Sequence, residues 1–218
     1  LSLPPGDRRR FILTNTALGR ARLAPEICLH LASDLTPLWH QTETFLQTQN
    51  ISPPFWAFAW PGSEALARHL LDHPALVRGR RVLDFAAGCG LGGIACALAS
   101  AAAVTAAEID PLACAAIALN AEANNVDIEI REGEVVGETG DWEVIIAGDI
   151  FYEAPMTRHV LPWLRGQARQ ATVFVADPGR AYAPRDGLTE ITRMSVPTSL
   201  ELEDKPSREV VIFQLLPR

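Results

Sequence analysis

Two short stretches of the 218-residue chain combine residue types and spacings that can carry chemistry. In "AGDIFYE", residues 147–153, an acid and then an aromatic pair follow the apolar run "VIIA". A buried strand would run out there, which puts Asp149 at the edge where parallel sheets present ligand-binding groups. Taken alone, such an acid reads as a polar strand stop. Its place after the fourth of a series of strands, near a glycine loop, favours a carboxylate aimed at a substrate. The loop itself lies in "VLDFAAGCGLGG", residues 82–93, a strand, a glycine turn and a helix start. Gly88, Gly90 and Gly93 satisfy GxGxxG, a pattern that by itself fits several nucleotide-like ligands.

Charge around the loop narrows the choice. Asp84 stands four residues before Gly88, and no Lys or Arg occurs between Arg81 and Arg131, so a pyrophosphate would meet little positive charge. No Gly-Lys-Ser/Thr follows, which removes a P-loop. A cationic ligand with a ribose and no phosphate suits the loop better, and S-adenosylmethionine carries both an ammonium and a sulfonium. Gly88, Cys89 and Gly90 are then the loop positions that line the cofactor. Asp84 is expected to hold the ammonium end, and Glu108, twenty residues after Gly88 at the end of the next strand, to accept the ribose hydroxyls. Glu134 in "REGEV" is a candidate for the adenine amino group, with Glu132 equally placed.

The elements that must position these groups follow from periodicity. From residue 80 the chain alternates: strands "RRVLDFA", "AVTAAEI", "VDIEIRE", "WEVIIAG" and "TVFVAD", with helices "LGGIACALAS", "PLACAAIALNAEAN" and "MTRHVLPWLRGQA" between them. This spacing predicts parallel βαβ units, an α/β Rossmann-like doubly wound sheet. "SLELE" and "EVVIFQLL", separated by "DKPSR", read as a closing antiparallel hairpin, for seven strands in all. Upstream, residues 1–60 form an N-terminal extension ahead of a domain at 61–218. The extension has a short strand at "EICLHL" and a helix-compatible "PLWHQTETFLQTQ"; Pro61 then opens a helix to about residue 73.

Composition excludes several classes. With 26 acidic against 19 basic residues, net charge −7, generic polyanion binding is disfavoured and no nucleic acid is expected. The one basic cluster, Arg8, Arg9, Arg10, Arg20 and Arg22, reads as a solvated or disordered arm. Cys28, Cys89, Cys96 and Cys114 lack CxxC spacing, so neither zinc nor a disulfide framework is indicated. His69 and His73, four apart, lack a third ligand and read as exposed helix residues; no metal is expected. The longest weakly apolar stretch is mostly alanine, so no membrane span is expected. Alanine and arginine richness favours a bacterial cytoplasm, with a mitochondrial matrix as the alternative given the Arg-rich opening and a first residue other than Met.

"VLDFAAGCGLGG" with "AAEID" resembles the cofactor half of the seven-β-strand S-adenosylmethionine-dependent methyltransferases, over about residues 80–218. More narrowly, "PPFWAFAWPGSEALARHLL" with "GDIFYE" is similar to the protein-lysine methyltransferases with an Asp/Glu-x-x-Phe/Tyr signature, and most of all to the electron transfer flavoprotein β-subunit lysine methyltransferases. The resemblance implies methyl transfer to lysine ε-amines of that β subunit, with a ribosomal protein as another protein substrate. It makes Asp149 the group that docks the amine and Tyr152 a wall of its channel, and puts Trp60 over the cofactor or the channel, with Trp56 read as core. Small-molecule or nucleic-acid acceptors are alternatives, although "DIFY" stands where many base methyltransferases carry "NPPY". A dehydrogenase is disfavoured by the acidic loop, and a noncatalytic scaffold by the presence of these acids.

Overall fold

The computed structural model describes residues 4–32, 54–198, 203 and 205–217. In chain order it contains α1 (Pro5–Asn15), β1 (Ala17–Arg20), β2 (Cys28–Leu31), α2 (Pro61–Asp72), β3 (Arg81–Phe85), α3 (Leu91–Leu98), β4 (Ala103–Glu108), α4 (Pro111–Ala123), β5 (Glu129–Glu132), β6 (Val144–Gly148), α5 (Ala154–Gln167), β7 (Thr172–Asp177), β8 (Leu188–Pro197) and β9 (Ser207–Leu215).

Seven strands make one sheet in the order β5-β4-β3-β6-β7-β9-β8. The pairs from β5 to β7 are parallel, and β9 runs antiparallel between β7 and β8. The expected doubly wound sheet with a terminal antiparallel hairpin is therefore present. Chain order reverses between β3 and β6, so the crevice beyond their carboxyl ends is the topological switch point at which such sheets bind ligands.

Period-two alternation explains why the middle strands read as unbroken apolar runs. Val82, Val144, Ile146, Phe174 and Ala176 face a core shared with Leu66 and Leu70 of α2 and Ile94 of α3. Leu83, Ile145, Ala147, Val173 and Val175 face the opposite core, with Val160 and Leu164 of α5. Each fully buried Leu or Ile is worth about 1.5–3 kcal/mol, so burial on both faces makes β6 and β7 rigid supports for whatever follows them.

Three expectations change. The first strand of the closing hairpin is β8, upstream of "SLELE". Of that stretch only Glu203 is described, and it is buried and helical. β8 is an edge strand with mostly exposed polar positions, so apolar runs do not reveal it. The basic cluster is likewise not an arm: α1 docks on α4, with Ile12 fully buried, Arg8 bonded to Glu132 and Arg9 to Glu122, each at 2.8 Å. A buried isoleucine and acidic partners distant in sequence order it, and neither is visible locally. His69 is buried rather than exposed, its ring 4.5 Å from that of His73, and burial lowers its pKa. The helix expected at 37–49 lies outside the described residues.

Candidate functional site

The glycine loop leaves β3 through Ala86, which has φ +52°, and then takes Gly88 and Gly90 to φ +55° and +78°. Two glycines are needed for two different reasons. A Cβ on Gly90 would come within 3.1 Å of Ile117, whereas one on Gly88 would meet nothing among the described residues. An open cradle of backbone at a helix start is what a ligand needs for close approach. Cys89 keeps its thiol in the core, where burial pushes its pKa up to about 12, while its carbonyl accepts 2.8 Å from Asn120 Nδ2.

Asn120 is a site-supporting residue that the sequence reading missed. It is fully buried on α4, and its Oδ1 also accepts from the backbone N–H of His30 at 2.7 Å, so one amide ties the glycine loop to β2. Glu64 of α2 was missed too. It is buried, and its two oxygens accept from the N–H groups of Arg22 and Leu23, each at 2.8 Å. A polar residue inside an apolar helical stripe is the available signal for both.

Asp84 lies beneath the loop, 5% exposed, with Oδ2 accepting from Gly93 N at 2.6 Å. Burial pushes its pKa up to about 7, against the pull of that hydrogen bond. Glu108 ends β4 and faces the same loop: Oε2 accepts from Gly88 N at 3.0 Å, and Oε1 from Ile109 N and Asp110 N at 2.8 and 3.2 Å. It is thus fixed by three N–H groups, oriented before any ligand arrives. Glu134 is further out. Its Oε1 accepts from Val135 N and Val136 N, and its Oε2 lies 3.0 Å from His159 Nε2. Glu132 is bonded to Arg8, which separates two acids that spacing could not.

Asp149 follows β6 with φ +58°, a backbone conformation that costs a non-glycine residue on the order of 1–3 kcal/mol and that tends to occur at functional sites. Its N–H donates 3.0 Å to the carbonyl of Ala176, and its Oδ2 accepts 3.0 Å from Ser63 N at the start of α2. Oδ1 is buried with no hydrogen-bond partner among the described residues, and Arg180 Nη2 lies 3.8 Å away. Burial pushes the carboxyl up to about 7, with Arg180 and the Ser63 N–H pulling the other way. Arg180 stands in the loop after β7.

Aromatic rings stand nearby. Tyr152, half exposed, has its ring 5.5 Å from that of Phe55, which is 5.9 Å from Trp60. Trp60 Nε1 donates 2.8 Å to the Phe55 carbonyl. Trp56 is core, 1% exposed, as read from the sequence. Phe55 was not singled out there. Among the described residues no cluster of metal-ligating side chains is present, and no helix is long and apolar enough to cross a membrane.

The family described as Methyltransferase small domain matches residues 58–151, from α2 through the Asp149 turn. The magnesium protoporphyrin IX methyltransferase of Synechocystis PCC 6803, solved with bound S-adenosylmethionine, aligns with TM-score 0.53 and 16% identity over 70% of this chain and 77% of its own, a likeness of fold. The electron transfer flavoprotein β-subunit lysine methyltransferase of Xenopus laevis is 41% identical over 177 residues, 79% of this chain and 71% of that protein. The corresponding protein of Danio rerio is 34% identical over 207 residues, 91% and 79% of the two chains. Identity at that level across most of both lengths, on a fold whose switch point carries this loop and this acid, means that the chain belongs to the electron transfer flavoprotein β-subunit lysine methyltransferase family.

Proposed function

We propose that this protein transfers methyl groups from S-adenosylmethionine to lysine ε-amines of an electron transfer flavoprotein β subunit. The observation that carries the proposal is Asp149: a carboxylate at the switch point, held by one N–H, with its second oxygen buried and unpartnered. A buried acceptor without a donor costs about 1–3 kcal/mol, and a substrate ammonium would satisfy it. The family membership and the names of the relatives support the choice of substrate.

The residues present fit the cofactor. Gly88 offers open backbone, Glu108 offers a pre-oriented acceptor for ribose hydroxyls, and Asp84 sets a negative charge beneath the loop for an ammonium. Bound there, S-adenosylmethionine supplies a methyl group on a sulfonium, to which the amine lone pair bonds as the carbon–sulfur bond breaks. Trp60 would cover this region. Glu134 is assigned to the adenine amino group, for which it must exchange its contact with His159.

A free lysine has a pKa near 10.4, about three units above Asp149, so Asp149 is a poor terminal acceptor of the lysine proton. Its work is to dock the ammonium and aim the nitrogen once the proton has left to water. Tyr152 walls the channel, and its ring face accommodates the methylated ammonium products through cation–π attraction. The test is incubation of the pure protein with labelled S-adenosylmethionine and the purified β subunit, followed by peptide mass spectrometry. Label on lysine supports the proposal; no label on the β subunit, with label on RNA or a small molecule from an extract, overturns it. We also assign it to the cytoplasm, which the four free cysteines suit.

A further inference from the structure

The Asp149 carboxylate does not stand alone; every element packed against it brings a polar or charged group. Ser63 N approaches from α2, Asp177 from the end of β7, Arg180 from the turn after it, and Glu203 from the connection between β8 and β9. Asp177 organises that turn, since its Oδ1 accepts from Gly179 N and Arg180 N, both at 2.7 Å. The Arg180 guanidinium then turns both terminal nitrogens to Glu203: Nη1 bonds Oε2 at 3.2 Å and Nη2 bonds Oε1. Arg208 closes the other side, its Nε bonding Glu203 Oε2 at 2.8 Å and its Nη2 the Glu203 carbonyl at 2.9 Å. The Glu203 side chain is 1% exposed and bonded to both guanidiniums.

One distance matters most. Arg180 Nη2 is 3.8 Å from Asp149 Oδ1, close enough for strong Coulomb attraction and too far for a hydrogen bond. Three carboxylates, Asp149, Asp177 and Glu203, surround two guanidiniums, Arg180 and Arg208, leaving one net negative charge when all are ionised. A single added ammonium neutralises the cluster, and the unpartnered Oδ1 is where it would bond.

We propose that Arg180 and Glu203 are positioning residues for Asp149: the guanidinium is the fixed counter-charge of the carboxylate, and Glu203 holds it back so that the buried Oδ1 keeps its bonding capacity for the substrate amine. The inference rests on the docking role given to Asp149 above. Without Glu203, Arg180 closes the gap and occupies the oxygen that the lysine needs, acting as an internal competitor. Without Arg180, the carboxylate loses the positive charge that stands 3.8 Å from Oδ1 and ionises only at higher pH.

The experiment combines kinetics with carboxyl-carbon NMR on protein carrying 13C-labelled aspartate, the Asp149 signal being assigned by its loss in Asp149→Asn. In Arg180→Met the titration midpoint of Asp149 moves up by about one pH unit or more, and kcat/KM at pH 7 falls about tenfold, while Arg180→Lys recovers most of both. Glu203→Gln raises KM for the β subunit about tenfold with a smaller change in kcat, and adding Arg180→Met to it relieves part of the KM effect. If the Asp149 midpoint in folded Arg180→Met stays within 0.3 pH units, a margin of about 0.4 kcal/mol, the inference is wrong whether or not Glu203→Gln folds. Inactive Asp149→Asn beside unchanged Arg180→Met leaves the docking reading standing and removes this one; fully active Asp149→Asn removes the docking reading itself.

Discussion

Gly62 and Asp149 approach so closely that no side chain fits between them. A Cβ on Gly62 would lie 2.6 Å from Asp149 Oδ2 and 2.7 Å from the carbonyl oxygen of Ala176. The first contact involves a side-chain end that could turn away, but the second is backbone of β7 and cannot. This packing brings the start of α2 against the ends of β6 and β7 and delivers Ser63 N to the carboxylate. Gly62→Ala is therefore expected to destabilise the fold by about 1–3 kcal/mol despite the better helix propensity of alanine. Urea unfolding measures this. Activity should fall further than the loss of folded protein accounts for, because the carboxylate moves; equal stability with full activity would mean that the contact is slack.

Glu108 joins loop order to cofactor binding. Its bond to Gly88 N fixes the cradle, and a charged acceptor of this kind is worth about 1.5–3 kcal/mol. Glu108→Ala should weaken S-adenosylhomocysteine binding by roughly tenfold or more in titration calorimetry and lower the melting temperature of the free protein. An unchanged dissociation constant would show that the ribose lies elsewhere.

The burial of Asp84 has a pH signature. Its folded pKa, about 7, stands above the unfolded value near 3.9, so its contribution to stability is fully present below about pH 4 and is lost as pH rises through 7. Unfolding of the cofactor-free protein should accordingly be easier at pH 8 than at pH 5. Asp84→Asn keeps an acceptor for Gly93 N and should remove part of that difference, an effect on the order of a few kcal/mol. Cofactor affinity should show the opposite slope, rising as Asp84 ionises and flattening in the variant. Calorimetry across pH 5–8 reads both; parallel profiles for parent and variant would exclude Asp84 as the ammonium's partner.

Tyr152 is assigned a wall, so its ring should matter more than its hydroxyl. Tyr152→Phe should keep transfer within about threefold, whereas Tyr152→Ala removes both the wall and the support of Phe55 and should lower kcat/KM about tenfold. Steady-state kinetics with the β subunit distinguish the two. A large loss in Tyr152→Phe would point to proton or hydrogen-bond work by the phenol.

Particular elements show how far local reading reaches. β3, β6 and β7 were legible because strands buried on both faces leave continuous apolar runs, and α2 because Pro61 opens it. β8 was not, since an edge strand exposed on much of its length looks like polar loop. α1 looked like a charged arm because its ordering contacts, Ile12 in the core and acids on α4 and β5, are distant in sequence. Asn120 and Glu64 carried only the weak signal of a polar residue in an apolar stripe.

The succession of β3 to β7 along the chain, the glycine loop and the acid after β6 were determined by the sequence alone, because burial patterns and turn chemistry act over a few neighbouring residues. What surrounds that acid was decided only by the tertiary structure. The Asp149 carboxylate owes its shifted pKa and its buried, unpartnered oxygen to groups from α2, the end of β7, the following turn and the β8–β9 connection. Electrostatic interaction depends on distance through space and on burial, and no spacing along the chain encodes either.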